Sequence, residues 1–225
     1  MDLENLDDIW KKYANSYFLF TPIFQQTLLE NVGKNMSGIV LDAGCGVGKL
    51  VSRIESYSKY VGIDSNLSMI EVAKNKLKCK ENISFELGDV CKINYSEAYF
   101  DSAASVNVLY SLNEPLKFIE EIYRVLKPNG RFILASPNRS LDMSFLEKKL
   151  MEEFSSNLDE NLRNEFQSYL EINRQLAKGL SKSKYSPKLF DEDEIVKILL
   201  ENGFKIEKKE KAYFDQLFHI TSQKI

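Results

Sequence analysis

The chain has 225 residues, 44% of them hydrophobic and 28% charged, enough apolar material for one domain with a packed core. A formal net charge of -3 argues against a general nucleic-acid binder, which carries a basic excess. A single histidine cannot build a histidine-rich metal site, so no metal is expected. The three cysteines (Cys45, Cys79, Cys91) lack CxxC spacing and read as free thiols of a cytoplasmic protein.

In chain order, Met1–Trp10 is acidic and unlike a secretory leader, and Glu4–Tyr17 is polar with scattered aromatics. Thr21–Val32 reads as a helix with Thr21 as its cap and Pro22 in its first turn. From Gly38 short apolar strands alternate with amphipathic helices. The strands are Ile39–Leu41, Tyr60–Ile63, Ile83–Leu87, Phe100–Val106 and Arg131–Ala135; the helices are Val47–Ser56, Leu67–Leu77 and Glu114–Leu126. Lys127-Pro128-Asn129-Gly130 reads as a helix stop and a turn. This alternation predicts right-handed βαβ units and a parallel sheet. Leu141–Leu180 interrupts it with about forty residues of helical pattern, Leu158 and Leu176 among its apolar positions. Asp191 with Glu194 forms a capping box ahead of Ile195–Glu201, and Phe204–Tyr213 and Leu217–Lys224 read as a hairpin reversing near Asp215-Gln216. Lys205–Lys211 reads as a solvated strand. No apolar run approaches the ~20 residues that cross a bilayer.

Val40-Leu41-Asp42-Ala43-Gly44-Cys45-Gly46-Val47-Gly48 runs from strand to helix through a glycine-rich turn. Glycines there permit positive φ and close approach of a ligand, and a following helix presents unpaired N–H groups. A dinucleotide fingerprint needs glycine where Lys49 stands. A phosphate loop needs Ser or Thr where Leu50 stands and glycine where Ala43 stands. The remaining pattern, D-x-G-x-G-x-G, resembles motif I of the class I S-adenosylmethionine-dependent methyltransferases. Phe100-Asp101 through Leu112 resembles that family's fourth-strand segment, and Arg124-Val125-Leu126-Lys127-Pro128-Asn129-Gly130 its "RVLKPGG" stretch. The resemblance covers roughly Gly38 to Pro137 and is to the small-molecule, ubiquinone-biosynthesis-type branch.

The resemblance implies a Rossmann-like three-layer α/β sandwich: a seven-stranded, mostly parallel sheet of order 3-2-1-4-5-7-6 with an antiparallel C-terminal strand. It also implies S-adenosylmethionine as cofactor. Asp42 would help bind the cofactor's ammonium, often through water. Asp64, at the end of strand two, would take the ribose hydroxyls; its local alternative is a helix N-cap shared with Ser65. Asp89, after Gly88, would take the adenine amino group beside Val90; its alternative is a turn residue. Ala43, Gly44, Gly46, Gly48, Met69, Ser105 and Val106 complete the expected contacts.

The branch commonly has His-His after strand four, where this chain has Tyr110-Ser111. The N/D-P-P-Y/F signature is also missing, with Ala104-Ser105-Val106-Asn107 near that place. Tyr110, Tyr13 and Tyr17 are the substrate-facing candidates, His219 reads as structural, and no general base is named. The expected division is an N-terminal helical lid segment (1–37), a cofactor-binding core (38–140), a helical lid insertion (141–182) and the end of the core, a helix and a β-hairpin (183–225). The expected partner is a small-molecule acceptor, with no membrane, the chain acting alone or as a homodimer. Competing readings are a cofactor-binding protein without transferase activity, a nicotinamide-dependent oxidoreductase, which Lys49 opposes, and a methyltransferase acting on RNA or protein.

Overall fold

The apolar runs pair into one sheet. The computed structural model describes residues 3–77, 81–154, 160–182 and 188–225, and side chains over 8–77, 81–154, 161–175 and 188–225. Cys79, Leu158 and the Leu176 side chain lie outside these residues. The strands are β1 (Ile39–Ala43), β2 (Lys59–Asp64), β3 (Ile83–Leu87), β4 (Phe100–Val106), β5 (Leu126–Pro137), β6 (Phe204–Ala212) and β7 (Leu217–Lys224). They lie in the expected order, β3-β2-β1-β4-β5-β7-β6, with only β7 antiparallel to its neighbours. The central strands are buried on both faces, which is why they read as continuous apolar runs.

Helices cover both faces. α4 (Pro115–Val125) buries Phe118, Ile119, Ile122 and Val125 against Phe132, Leu134 and Phe204. These four side chains recur at helical spacing, and each contributes ~1.5–3 kcal/mol by leaving water. α7 (Glu192–Glu201) joins this face and carries the expected capping box of Asp191 and Glu194. The other face holds α2 (Ile23–Gly33) and α3 (Leu67–Leu77) over Val40, Tyr60, Phe85 and Ile133.

Glu4–Tyr17 lies within a helix, α1 (Leu3–Leu19), in the segment expected to be helical. Several other expectations are corrected. Val47–Ser56 is not an α-helix: turns lead into one 3-10 turn at Val51–Arg53. Its apolar residues are buried as a helix would bury them, but Gly48 within it takes φ +77°, and Gly44 and Gly46 ahead of it +82° and +52°, all outside the helical region. Thr21 does not cap α2, whose N-cap is Pro22. The amide of Ile23 instead donates to Glu153 Oε1 at 2.8 Å. That carboxylate belongs to α5 (Met143–Phe154), which with α6 (Glu160–Lys182) forms the insertion. The Lys127–Gly130 turn is a bulge inside β5: Leu126 pairs with Phe100 and Arg131 with Ser102. Lys127 Nζ meets Asp101 Oδ1 at 2.7 Å, and Asp101 Oδ2 accepts the Ile39 amide at 2.8 Å, so this bulge helps hold the start of β1.

β6, the rim of the sheet, alternates charges: Lys208 pairs with Glu210, and Lys209 and Lys211 pair with Glu192 of α7. Among the described residues, no helix is long and apolar enough to cross a membrane.

Candidate functional site

Three parallel strands end side by side. Register pairs Ala43 with Ile63 and Asp64 with Leu87, so the ends of β1, β2 and β3 share one edge. Asp42 is the next-to-last residue of β1 and Asp64 the last of β2, with Gly88-Asp89 just beyond β3.

The turn after β1 folds back onto β2, since the amides of Gly44 and Cys45 both donate to Ile63 O at 2.7 and 3.0 Å. Its glycines do different things. A methyl on Gly44 would stand 2.2 Å from Val108 Cγ2, and one on Gly48 2.7 Å from the Phe85 ring, so both are needed for packing. A methyl on Gly46 would meet nothing within 4 Å, so the turn is open there. Gly44→Ala combines a clash with a left-handed φ of +82°. Its expected cost is about 2 kcal/mol or more, a fall in Tm of ~5 °C in a thermal melt.

Asp64 holds this turn. Its Oδ2 accepts the Gly46 amide and its Oδ1 the Asn66 amide, each at 2.8 Å. The helix cap passes instead to Asn66, whose Oδ1 accepts the Met69 amide at 3.2 Å. Burial pushes the Asp64 carboxyl up, and the two backbone amides oppose the shift. Asp42 lies deeper, 3% exposed, and its Oδ2 accepts the Tyr60 hydroxyl at 2.5 Å. Burial raises it from 3.8 to about 7; the Tyr60 bond opposes this and Asp64 adds to it. Asp89 is exposed, and its Oδ1 accepts the Cys91 amide at 2.8 Å, the local turn bond.

Of the other expected contacts, Ala43 and Val90 are buried and Ser65 is exposed. Ser105 is fully buried and its hydroxyl donates to Ala43 O at 3.0 Å, tying β4 to β1; Val106 beside it is half-buried. Met69 packs with Ala14, Val47 and Val72 beneath Trp10, Tyr13 and Tyr17. Thus α1 lies over the glycine turn and α3.

Tyr13 and Tyr17 stack at 5.3 Å between ring centroids, and Tyr13 also stacks on Tyr169 of α6 at 6.2 Å. Phe20 packs edgewise on Phe154 of α5 and Phe166 of α6. The N-terminal segment and the insertion therefore close on each other. The Tyr13 hydroxyl is held above its ordinary range by burial, then by Tyr169, Tyr17, Tyr110 and Tyr213. The structure so stacks Tyr13 on Tyr17, leaves Tyr110 near enough to act on both hydroxyls, and adds two tyrosines that sequence reasoning missed. Tyr169 falls inside the predicted helical stretch Leu141–Leu180, and Tyr213 at the end of the predicted strand Phe204–Tyr213.

Lys49 was weighed in the sequence only as a missing glycine. Its Nζ sits 3.6 Å from the centre of the Tyr17 ring and donates to Phe20 O at 3.1 Å and Gln25 Oε1 at 3.5 Å. Gln25 Nε2 in turn donates to the Tyr17 hydroxyl. Burial lowers this amine to about 7. Lys49 pins α1 and the start of α2 to the glycine turn.

His219 is 2% exposed on β7, with Nδ1 3.6 Å from Glu210 Oε2, and burial keeps it neutral. It lines a separate cavity of about 760 Å³ with Phe24, Tyr213 and Phe214, to which none of the glycine-turn residues contributes.

A family model described as a methyltransferase domain matches residues 34–203. A demethylmenaquinone methyltransferase of Leptospira interrogans is 35% identical over 144 residues, 58% of this chain and 57% of that protein. A ubiquinone biosynthesis O-methyltransferase of Coxiella burnetii is 29% identical over 103 residues, 45% of this chain and 44% of that one. The chain thus spans about half the length of these curated relatives. An S-adenosylmethionine-dependent methyltransferase from Mesorhizobium loti superposes with a TM-score of 0.63 at 15% identity, over 89% of this chain and 98% of that one. The [4+2]-cyclase SpnF superposes with a TM-score of 0.62 at 16% identity, over 89% and 81%. At such identities the likeness is one of fold alone.

Proposed function

This chain belongs to the methyltransferase domain family, and from that premise we propose that it transfers the methyl group of S-adenosylmethionine to a small-molecule acceptor. The observation that carries the reading is the row of carboxylates at three adjacent strand ends, beside a turn whose backbone is open at Gly46. Each Asp64 oxygen accepts one backbone amide and keeps a lone pair, so the carboxylate can hold the turn and two ribose hydroxyls together. Asp89 keeps Oδ2 for the adenine amino group. Asp42, buried under the turn, acts on the ammonium from below, through water. These groups suit a zwitterionic nucleoside better than a pyrophosphate, and the lack of an α-helix after the turn removes the usual phosphate cradle.

The bound cofactor supplies a methyl group already activated by positive sulfur. What remains for the protein is to orient the acceptor and exclude water. Residues 1–37 and 141–182 act as the lid, an assignment supported by the Phe20–Phe154–Phe166 and Tyr13–Tyr169 contacts. The buried tyrosines are weak acids here and cannot take a proton at neutral pH, so none is assigned as base. The free thiols Cys45 and Cys91 suit a reducing cytoplasm.

Calorimetry with S-adenosylhomocysteine on folded protein tests the cofactor half of this reading: stoichiometric binding is expected, and no uptake overturns it. Release of S-adenosylhomocysteine in small-molecule extracts then separates a transferase from a protein that only binds the cofactor.

A further inference from the structure

Two strained residues meet at the end of β4. Asn107 follows the last residue of that strand with φ +60°, its amide fixed to Ala135 O at 2.9 Å. Tyr213, in the turn between β6 and β7, has φ +50°. They are 106 positions apart in sequence, yet Asn107 Nδ2 lies 3.5 Å from the Tyr213 hydroxyl. The left-handed region is uncommon for asparagine and a real strain for a bulky tyrosine. Strain of this kind persists where the surroundings impose it, and it gathers at functional sites. The other amide atom is more telling: Asn107 Oδ1 is buried and has no hydrogen-bond partner among the described residues. A buried oxygen without a donor costs stability, and a ligand that donates to it removes the cost.

We propose that Asn107 determines acceptor specificity, its Oδ1 receiving a hydrogen bond from an O–H or N–H on an uncharged, planar acceptor lodged among the tyrosines. This deepens the methyltransferase reading and rests on it. Tyr213 meets Asn107 directly, and nearby Tyr13 stacks on both Tyr17 and Tyr169. Aromatic faces with hydroxyl edges of this kind suit a flat ring. The charged groups on the Tyr17 side of the cluster include Asp42, which acts on Tyr17, and Lys49, which is occupied with the Tyr17 ring, Phe20 and Gln25; on the other side Tyr213 shares a cavity wall with Lys149, Glu210 and Lys211. These lysines are single-point cations, and none of them is the bidentate arginine fork that best recognises a carboxylate or phosphate. A hydrogen-bond acceptor in the wall admits a molecule with a donor and rejects its methyl ether, because the bound ether would leave Oδ1 unpaired.

The test uses 2-naphthol and 2-methoxynaphthalene as probes, titrated calorimetrically into protein saturated with S-adenosylhomocysteine. Binding of S-adenosylhomocysteine is measured first, so a failure of the cofactor reading shows before either naphthalene is added. The naphthol is expected to bind roughly tenfold more tightly than the ether, the worth of one buried hydrogen bond. Asn107→Gly, whose glycine accepts the left-handed backbone, should lose that preference while keeping its affinity for S-adenosylhomocysteine. Asn107→Asp, which retains an acceptor oxygen, should preserve the preference. Equal binding of the two probes to the wild type, binding of neither, or a preference that survives Asn107→Gly overturns the proposal.

Discussion

Asp64→Ala is expected to weaken S-adenosylhomocysteine binding by ~100-fold or more, because it removes a carboxylate placed to take two ribose hydroxyls. The loss has a second source. Without the carboxylate the amides of Gly46 and Asn66 lose their acceptor, so the glycine turn loses its hold on the end of β2. Asp64→Asn keeps one acceptor oxygen and should fall between the two. Calorimetry on the three proteins reads the series directly. Unchanged affinity in the alanine variant would show that the carboxylate serves only the turn.

Asp42→Asn should change how stability depends on pH. In the folded protein the Asp42 carboxyl titrates near 7, against an ordinary 3.8. Between those values the folded state holds a proton that the unfolded chain has lost, so stability falls as pH rises through this window. The stabilising contribution of the protonated acid is complete below about pH 4 and exhausted above about pH 7. Lys49 works in a different window: its amine is lowered from 10.5 to about 7, so stability rises with pH between those values. Comparing the asparagine variant with the wild type cancels Lys49 and the other carboxylates. From pH 5 to pH 8 the wild type should lose roughly 2–3 kcal/mol relative to the variant in urea melts. Parallel pH profiles would mean that Asp42 ionises normally.

Much of the frame could be read from letters. β1 and β2 are buried on both faces and carry the short apolar runs Ile39–Leu41 and Tyr60–Ile63, and α4 repeats its apolar residues at helical spacing. The stretch after the glycine turn shows what periodicity leaves open. Val47, Leu50, Val51 and Ile54 follow the i, i+3, i+4, i+7 rule and all four are buried, yet only a single 3-10 turn forms. Spacing reported which side chains face inward, while glycine dihedrals and the close return to β2 chose the backbone.

Contacts distant in sequence were hidden for a different reason. Glu153 serves the start of α2 from 130 residues away, and nothing local distinguishes it from any exposed glutamate. Tyr169 and Tyr213 look like ordinary core aromatics until α6 and the last hairpin bring them to Tyr13. The site carboxylates were legible because each stands beside a recognisable strand end. Asn107 stood out in the sequence only as part of a missing signature, since its strain and its solitary oxygen exist only in three dimensions.

The charged rim at β6 has a bearing on solubility. A lateral strand has open backbone groups that can recruit a neighbouring molecule into a continuous, growing sheet. Here an incoming chain would have to displace the ion pairs of Lys208, Lys209 and Lys211 before its own amides could engage. Substitutions that neutralise those lysines would therefore expose a route to aggregation while leaving the interior of the molecule intact.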